Sequence, residues 1–77
     1  MDSDKKPLHI GMCIKAELER QGRTSVWLAN ELGSHRTNIY KIYDKRSVDT
    51  GILFHISQIL GYDFFRLYSD SLTHDHV

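Results

Sequence analysis

Cysteine is nearly absent from this chain. Cys13 stands alone, so no disulfide forms within the molecule, and no cysteine pair exists to build a thiolate zinc site. Long apolar runs are missing too. Nothing approaches the ~20 apolar residues that a membrane-spanning helix requires. The opening Met1-Asp2-Ser3-Asp4-Lys5-Lys6 leads into no apolar signal segment. These absences point to a cytoplasmic protein with no membrane association. There is no glycine-rich phosphate loop, and no nucleophile accompanies Asp75 or the histidines, so no enzymatic activity is expected. His74 and His76 are a pair without a third ligand. No metal, cofactor or small-molecule ligand is expected.

Net charge is absent as well: ten lysines and arginines balance ten acids. Taken as an average, this weighs against nucleic-acid binding. The layout is uneven, however. Residues 20–46 carry six cations (Arg20, Arg23, Arg36, Lys41, Lys45, Arg46) against Glu31 and Asp44, a local balance of +4. Residues 1–19 come to −1 and residues 47–77 to −3. A basic middle third is what phosphate contact needs. It is also compatible with an ordinary solvated surface.

What is present is enough for one small globular domain: 77 residues, 40% of them hydrophobic. Residues 1–7 are polar, end in Pro7 and read as a flexible arm. Ile10, Cys13, Ile14 and Leu18 then recur at helical spacing, and Gly22 stands where a C-terminal cap belongs. The pattern predicts a first helix over 8–21. Thr24 is an N-cap candidate for a second helix bearing Trp27, Leu28 and Leu32. Gly33 ends it, and Ser34 is placed to cap a third helix with Ile39, Ile42 and Tyr43 on its inner side. Asp49 is a cap for a fourth, with Ile52, Leu53, Ile56, Ile59 and Leu60 as its apolar face. Asp63 is a cap for a short fifth carrying Phe64, Phe65, Leu67 and Tyr68. The expected fold is all-α: a compact bundle of five short helices over 8–71, followed by a flexible tail over 72–77.

The spacing within residues 24–44 is the informative part. Ala29 supplies a small residue where a second helix crosses closely. Four residues later Gly33 supplies a turn that takes positive φ without steric cost. Six residues beyond, Ile39 supplies a branched apolar residue to bury between the helices, and Leu28 and Ile42 complete the local core. Two short helices joined through a glycine turn form a helix-turn-helix.

The stretch Trp27-Leu28-Ala29-Asn30-Glu31-Leu32-Gly33-Ser34-His35-Arg36-Thr37-Asn38-Ile39-Tyr40 resembles the second helix, turn and third helix of small bacterial regulators of the Cro and phage-repressor type, the Xre-like family. Residues 52–61 resemble that family's fourth helix, and the likeness spans roughly residues 8–68. Asn38 to Tyr43, with Ser47-Val48-Asp49 and Asp63-Phe64-Phe65, is similar to short Bacteroides-type members. The resemblance implies a phage-repressor-like DNA-binding domain acting as a sequence-specific transcriptional regulator on double-stranded DNA. It implies that the third helix, about 34–43, lies in the major groove and reads bases through His35, Arg36, Thr37, Asn38 and Lys41. Arg36 and Lys41 suit the O6 and N7 acceptors of guanine, and Asn38 suits adenine. Phosphate contacts would fall to Thr24, Ser25, Tyr40, Lys45 and Arg46. Where many members pair a glutamate with a base of the first helix, this chain has Tyr43, and an apolar contact with Leu18 is expected instead.

Several residues carry a second reading. Trp27 is taken as core or partly buried rather than a base-stacking residue. His35 either reads a base or caps a helix. His55 reads as a surface residue, and Cys13 as a buried inert thiol. Phe64, Phe65, Tyr68 and Leu72 either pack on the core or form a homodimer interface through Phe64, Phe65 and Tyr68. The alternative to the regulator is a protein-interaction module on the same fold, adaptor or antitoxin-like, with weak DNA affinity; fold alone does not separate the two.

Overall fold

Helix-favouring periodicity carries through the whole domain. The computed structural model describes residues 8–75, with side chains described as far as Leu72. Among them five helices and no strand are found: α1 (Ile10–Gln21), α2 (Ser25–Leu32), α3 (Arg36–Tyr43), α4 (Thr50–Leu60) and α5 (Phe65–Asp75). The expected arm over 1–7 lies outside the described residues. The expected tail is helical in its first part, because α5 runs on to Asp75; residues 76–77 lie outside. No helix among the described residues is long and apolar enough to cross a membrane.

Short polar side chains start most of these helices. Thr24 Oγ1 accepts from the Trp27 N–H at 3.0 Å, and Asp49 Oδ1 from the Gly51 N–H at 2.8 Å. Asp63 Oδ1 accepts from Phe65 at 3.1 Å. Each satisfies an N–H that the first helical turn leaves unpaired. The cap of α1 is His9, whose Nδ1 accepts from Met12 at 3.2 Å.

The α2–α3 turn differs from expectation in one detail. Ser34 does not cap α3; the residue before that helix is His35. Ser34 instead closes α2. Its N–H reaches the Ala29 carbonyl at 2.8 Å while the Gly33 N–H reaches Asn30 at 3.2 Å. This double closure needs a left-handed residue between helix and turn, and Gly33 supplies it at φ 68°.

The core is one cluster drawn from α1 to α4 and the α4–α5 turn, with Phe65, Leu67 and Tyr68 of α5 packed against it. Ile10, Ile14, Leu28, Ile39, Ile56 and Phe64 have no exposed surface, and Leu18, Ala29 and Leu53 nearly none. The small Ala29 lets α3 lie close on α2, with Ile39 filling the gap. Trp27 is half-buried against this cluster. Phe64, one of the three residues expected at a dimer interface, is wholly inside the monomer and has no surface to offer a partner. Its ring meets Tyr62 edge-on at 4.7 Å. Phe65 and Tyr68 are half-buried on the same cluster.

One polar network joins α1 to the end of α4. The buried Glu17 carboxylate accepts from Arg20 Nε at 2.9 Å and from Gln21 Nε2 at 2.7 Å, and that amide also donates to the Leu60 carbonyl at 2.9 Å. The guanidinium beside it holds the Glu17 carboxyl below the usual carboxylate range, with Gln21 assisting and burial opposing.

Candidate nucleic-acid interface

α3 is a helix of two faces. At 3.6 residues per turn, Ile39 and Tyr43 fall on one side, and both are buried. Thr37 and Lys41 fall on the other, Arg36 and Tyr40 lie beside Tyr43 at the edge of the buried side, and all four are exposed, as is His35 at the helix start. His35 makes no side-chain capping bond, so its imidazole is not engaged in the capping role weighed above. The turn at Gly33 and the packing of Ile39 fix which way this outer face points.

Asn38 is held by a neighbour. Its Nδ2 donates to Ser34 Oγ at 2.8 Å, four residues back. That bond uses one of the two amide protons and leaves the second, with the carbonyl oxygen, on an exposed side chain. Asn38, Lys41 and Lys45 share one wall of a cleft of about 520 Å³ whose other side includes Asp49, Ile52 and His55. His35, Arg36 and Thr37 do not line this cleft.

The hydroxyls at the start of α2 are not equivalent. Thr24 Oγ1 accepts from Trp27, which leaves its own proton to donate. Ser25 Oγ lies 2.7 Å from Tyr43 Oη, which joins the start of α2 to the end of α3. If the phenol donates, the serine proton points onward to solvent and can meet an anion. Sequence reasoning assigned Ser25 to phosphate without seeing this phenol behind it. Burial pushes the Tyr43 phenol above its ordinary value, with the Ser25 bond opposing.

Tyr43 shares the buried core cluster with Leu18 and makes a further contact with the first helix. Its ring sits under the Lys15 ammonium, 5.9 Å from nitrogen to ring centre, and 6.2 Å from the Tyr40 ring. A base of α1 therefore does meet this position, through the face of an aromatic ring rather than a carboxylate. Lys15 was missed because its partner lies in another helix. A second cation, Arg23, lies 4.3 Å over the Trp27 ring beside the start of α2.

The basic loop after α3 is anchored by its backbone. The Ile10 and Gly11 N–H groups donate to the Arg46 and Lys45 carbonyls, each at 2.9 Å. The orphan donors of the first turn of α1 thus hold the loop, while the Lys45 and Arg46 side chains stay exposed. Among the described residues, Arg36, Lys41, Lys45 and Arg46 enter no ion pair. No group of three metal-ligating side chains occurs among the described residues; His74 and His76 have side chains outside that set. Cys13, expected to be buried, is half-buried, and that burial raises its thiol above its ordinary value, which disfavours the thiolate.

The chain matches no family model, no curated protein and no solved structure.

Proposed function

We propose that this protein is a sequence-specific DNA-binding transcriptional regulator, with α2, the Gly33 turn and α3 acting as a helix-turn-helix of the phage-repressor kind and α3 reading the major groove. The observation that carries the reading is the division of α3. Ile39 and Tyr43 anchor one side, while Thr37 and Lys41 stand exposed on the other and Arg36 is exposed at the helix start, both cations free of ion pairs among the described residues. Arginine and lysine so placed are donors for guanine, and threonine suits a thymine methyl. Thr24, Ser25, Tyr40, Lys45 and Arg46 would hold the phosphates on either side. A homodimer would set two α3 helices about 34–36 Å apart on a palindromic site.

Zero net charge, with Phe54 57% and Leu72 65% exposed, favours a second reading: a protein-interaction module on the same fold. An unbiased selection from random duplexes separates the two. Enrichment of a palindromic site, bound less tightly as salt rises, supports the regulator. No enrichment at low salt, together with a protein partner that co-purifies, supports the module.

A further inference from the structure

The cleft beside α3 combines apolar walls with cations that enter no ion pair among the described residues. Leu32, Ile42 and Ile52 line it, and Ile52, one turn before the buried Ile56, remains 42% exposed. Lys41 of α3 and Lys45 of the turn after it stand on one wall, in no ion pair among the described residues. The lining has one acid, Asp49, and it is turned to its own helix, accepting from the Gly51 N–H at 2.8 Å. There its charge is set against the positive end of the α4 dipole. The volume of about 520 Å³ lies within the range of small-molecule sites, ~300–1,000 Å³. A phosphate backbone has no apolar body to cover Ile42 and Ile52. A small molecule with a hydrocarbon body and one negative charge matches both parts of the lining.

We propose that this cleft binds a small apolar carboxylic acid, and that its occupation withdraws Asn38 and Lys41 from DNA. The second half rests on the DNA-binding reading above; the first half does not. The carboxylate pairs with Lys41 or Lys45, and the hydrocarbon covers the isoleucines. Ligand and DNA then compete for the same side chains.

The test uses the full chain without DNA, with anilinonaphthalene sulfonate as fluorescent probe and decanoate as competitor. The probe should bind saturably, one per chain, to protein whose circular dichroism remains native. Decanoate should displace it, and uncharged decanol at the same concentration should not. Ile52→Asp and Lys45→Met alter exposed side chains, so both variants should fold. Each should weaken probe and decanoate by about tenfold or more. Equal displacement by decanol, or wild-type binding by both variants, would overturn the site. So would loss of probe as the chain self-associates with rising concentration, if Ile52→Asp restored the monomer; a second copy would then cover the cleft. A duplex recovered by selection should expel the probe. Duplex binding that leaves the probe in place overturns the coupling. If no duplex binds, the DNA-binding reading fails while the decanoate result still decides the site.

Discussion

The Gly11 N–H donates to the Lys45 carbonyl at 2.9 Å, and the approach is possible only because residue 11 has no side chain. A Cβ there would lie 2.3 Å from the Ile42 oxygen, 2.5 Å from Tyr43 and 2.7 Å from Lys45, all backbone atoms at the end of α3 and the following turn. The start of α1 is thereby seated on the turn that carries the proposed phosphate contacts.

Gly11→Ala decides whether that seating governs stability. Alanine is the better helix former by about 1 kcal/mol, so helix propensity alone favours the variant. Three backbone carbonyls cannot all move aside, and overpacking of this kind costs about 1–3 kcal/mol. Urea unfolding should show a lower midpoint for the variant. A higher midpoint would mean that α1 and the turn do not meet in this way.

Arg36→Ala and Lys41→Ala test the reading face. Both side chains are exposed and outside the core, so thermal unfolding should be unchanged. Loss of a good base contact is worth about 1–3 kcal/mol, which is roughly a 5- to 150-fold rise in Kd for the selected duplex. If both variants bind that duplex as the parent chain does, α3 is not the reading helix.

Tyr43→Phe removes one hydroxyl and keeps the ring under Lys15. The lost bond to Ser25 should cost about 0.5–1.5 kcal/mol. Ser25→Ala should cost a similar amount, and the double variant less than the two together, because both delete the same interaction. Additive losses would show that the hydroxyls are not coupled. The phenol is raised in the folded state, so its contribution is full below the ordinary tyrosine range and falls as pH climbs through the raised value. Alkaline unfolding of Tyr43→Phe should accordingly be less steep than that of the parent.

Glu17→Gln addresses the acid side. The Glu17 carboxyl is lowered in the folded state, chiefly by its bond to Arg20. Such a group adds stability above its unfolded value, and that stability is lost as pH falls through the folded one. Arg20 is largely exposed, so solvent screens the pair and the effect is modest. The variant should melt a few degrees lower near neutrality, and the gap should close as the pH is taken down below the ordinary carboxylate range. A gap that stays constant with pH would assign the loss to packing instead.

The helices themselves were legible because their determinants are local. Thr24, Asp49 and Asp63 are caps that act within two or three residues, and Gly33 ends α2 by a conformation that glycine alone takes easily. Ala29 and Ile39 are read from spacing, and both are buried as that spacing requires. Thr37 and Lys41 follow as outer residues of α3 from the same periodicity, once Ile39 and Tyr43 are placed inward, whereas Arg36 is exposed at the helix start although it lies seven residues before Tyr43.

Contacts between distant segments were not legible. Nothing near Gly11 in the chain announces three carbonyls from α3 and the turn after it. Nothing near Ser25 announces a phenol from Tyr43, or near Lys15 the same ring. Ser34 resembles a helix cap by type, yet its N–H serves α2 and its hydroxyl serves Asn38. Phe64 resembles an exposed aromatic of a short helix, yet it fills the core just before that helix begins. Sequence by itself therefore determined the five helices, the caps at Thr24, Asp49 and Asp63 and the outward placing of Thr37 and Lys41 on α3, since each depends on neighbours one turn away. Tertiary structure alone decided how the basic turn is anchored, which hydroxyls are already paired and where a cleft opens beside α3. Those depend on side chains and carbonyls that meet only after the helices have packed.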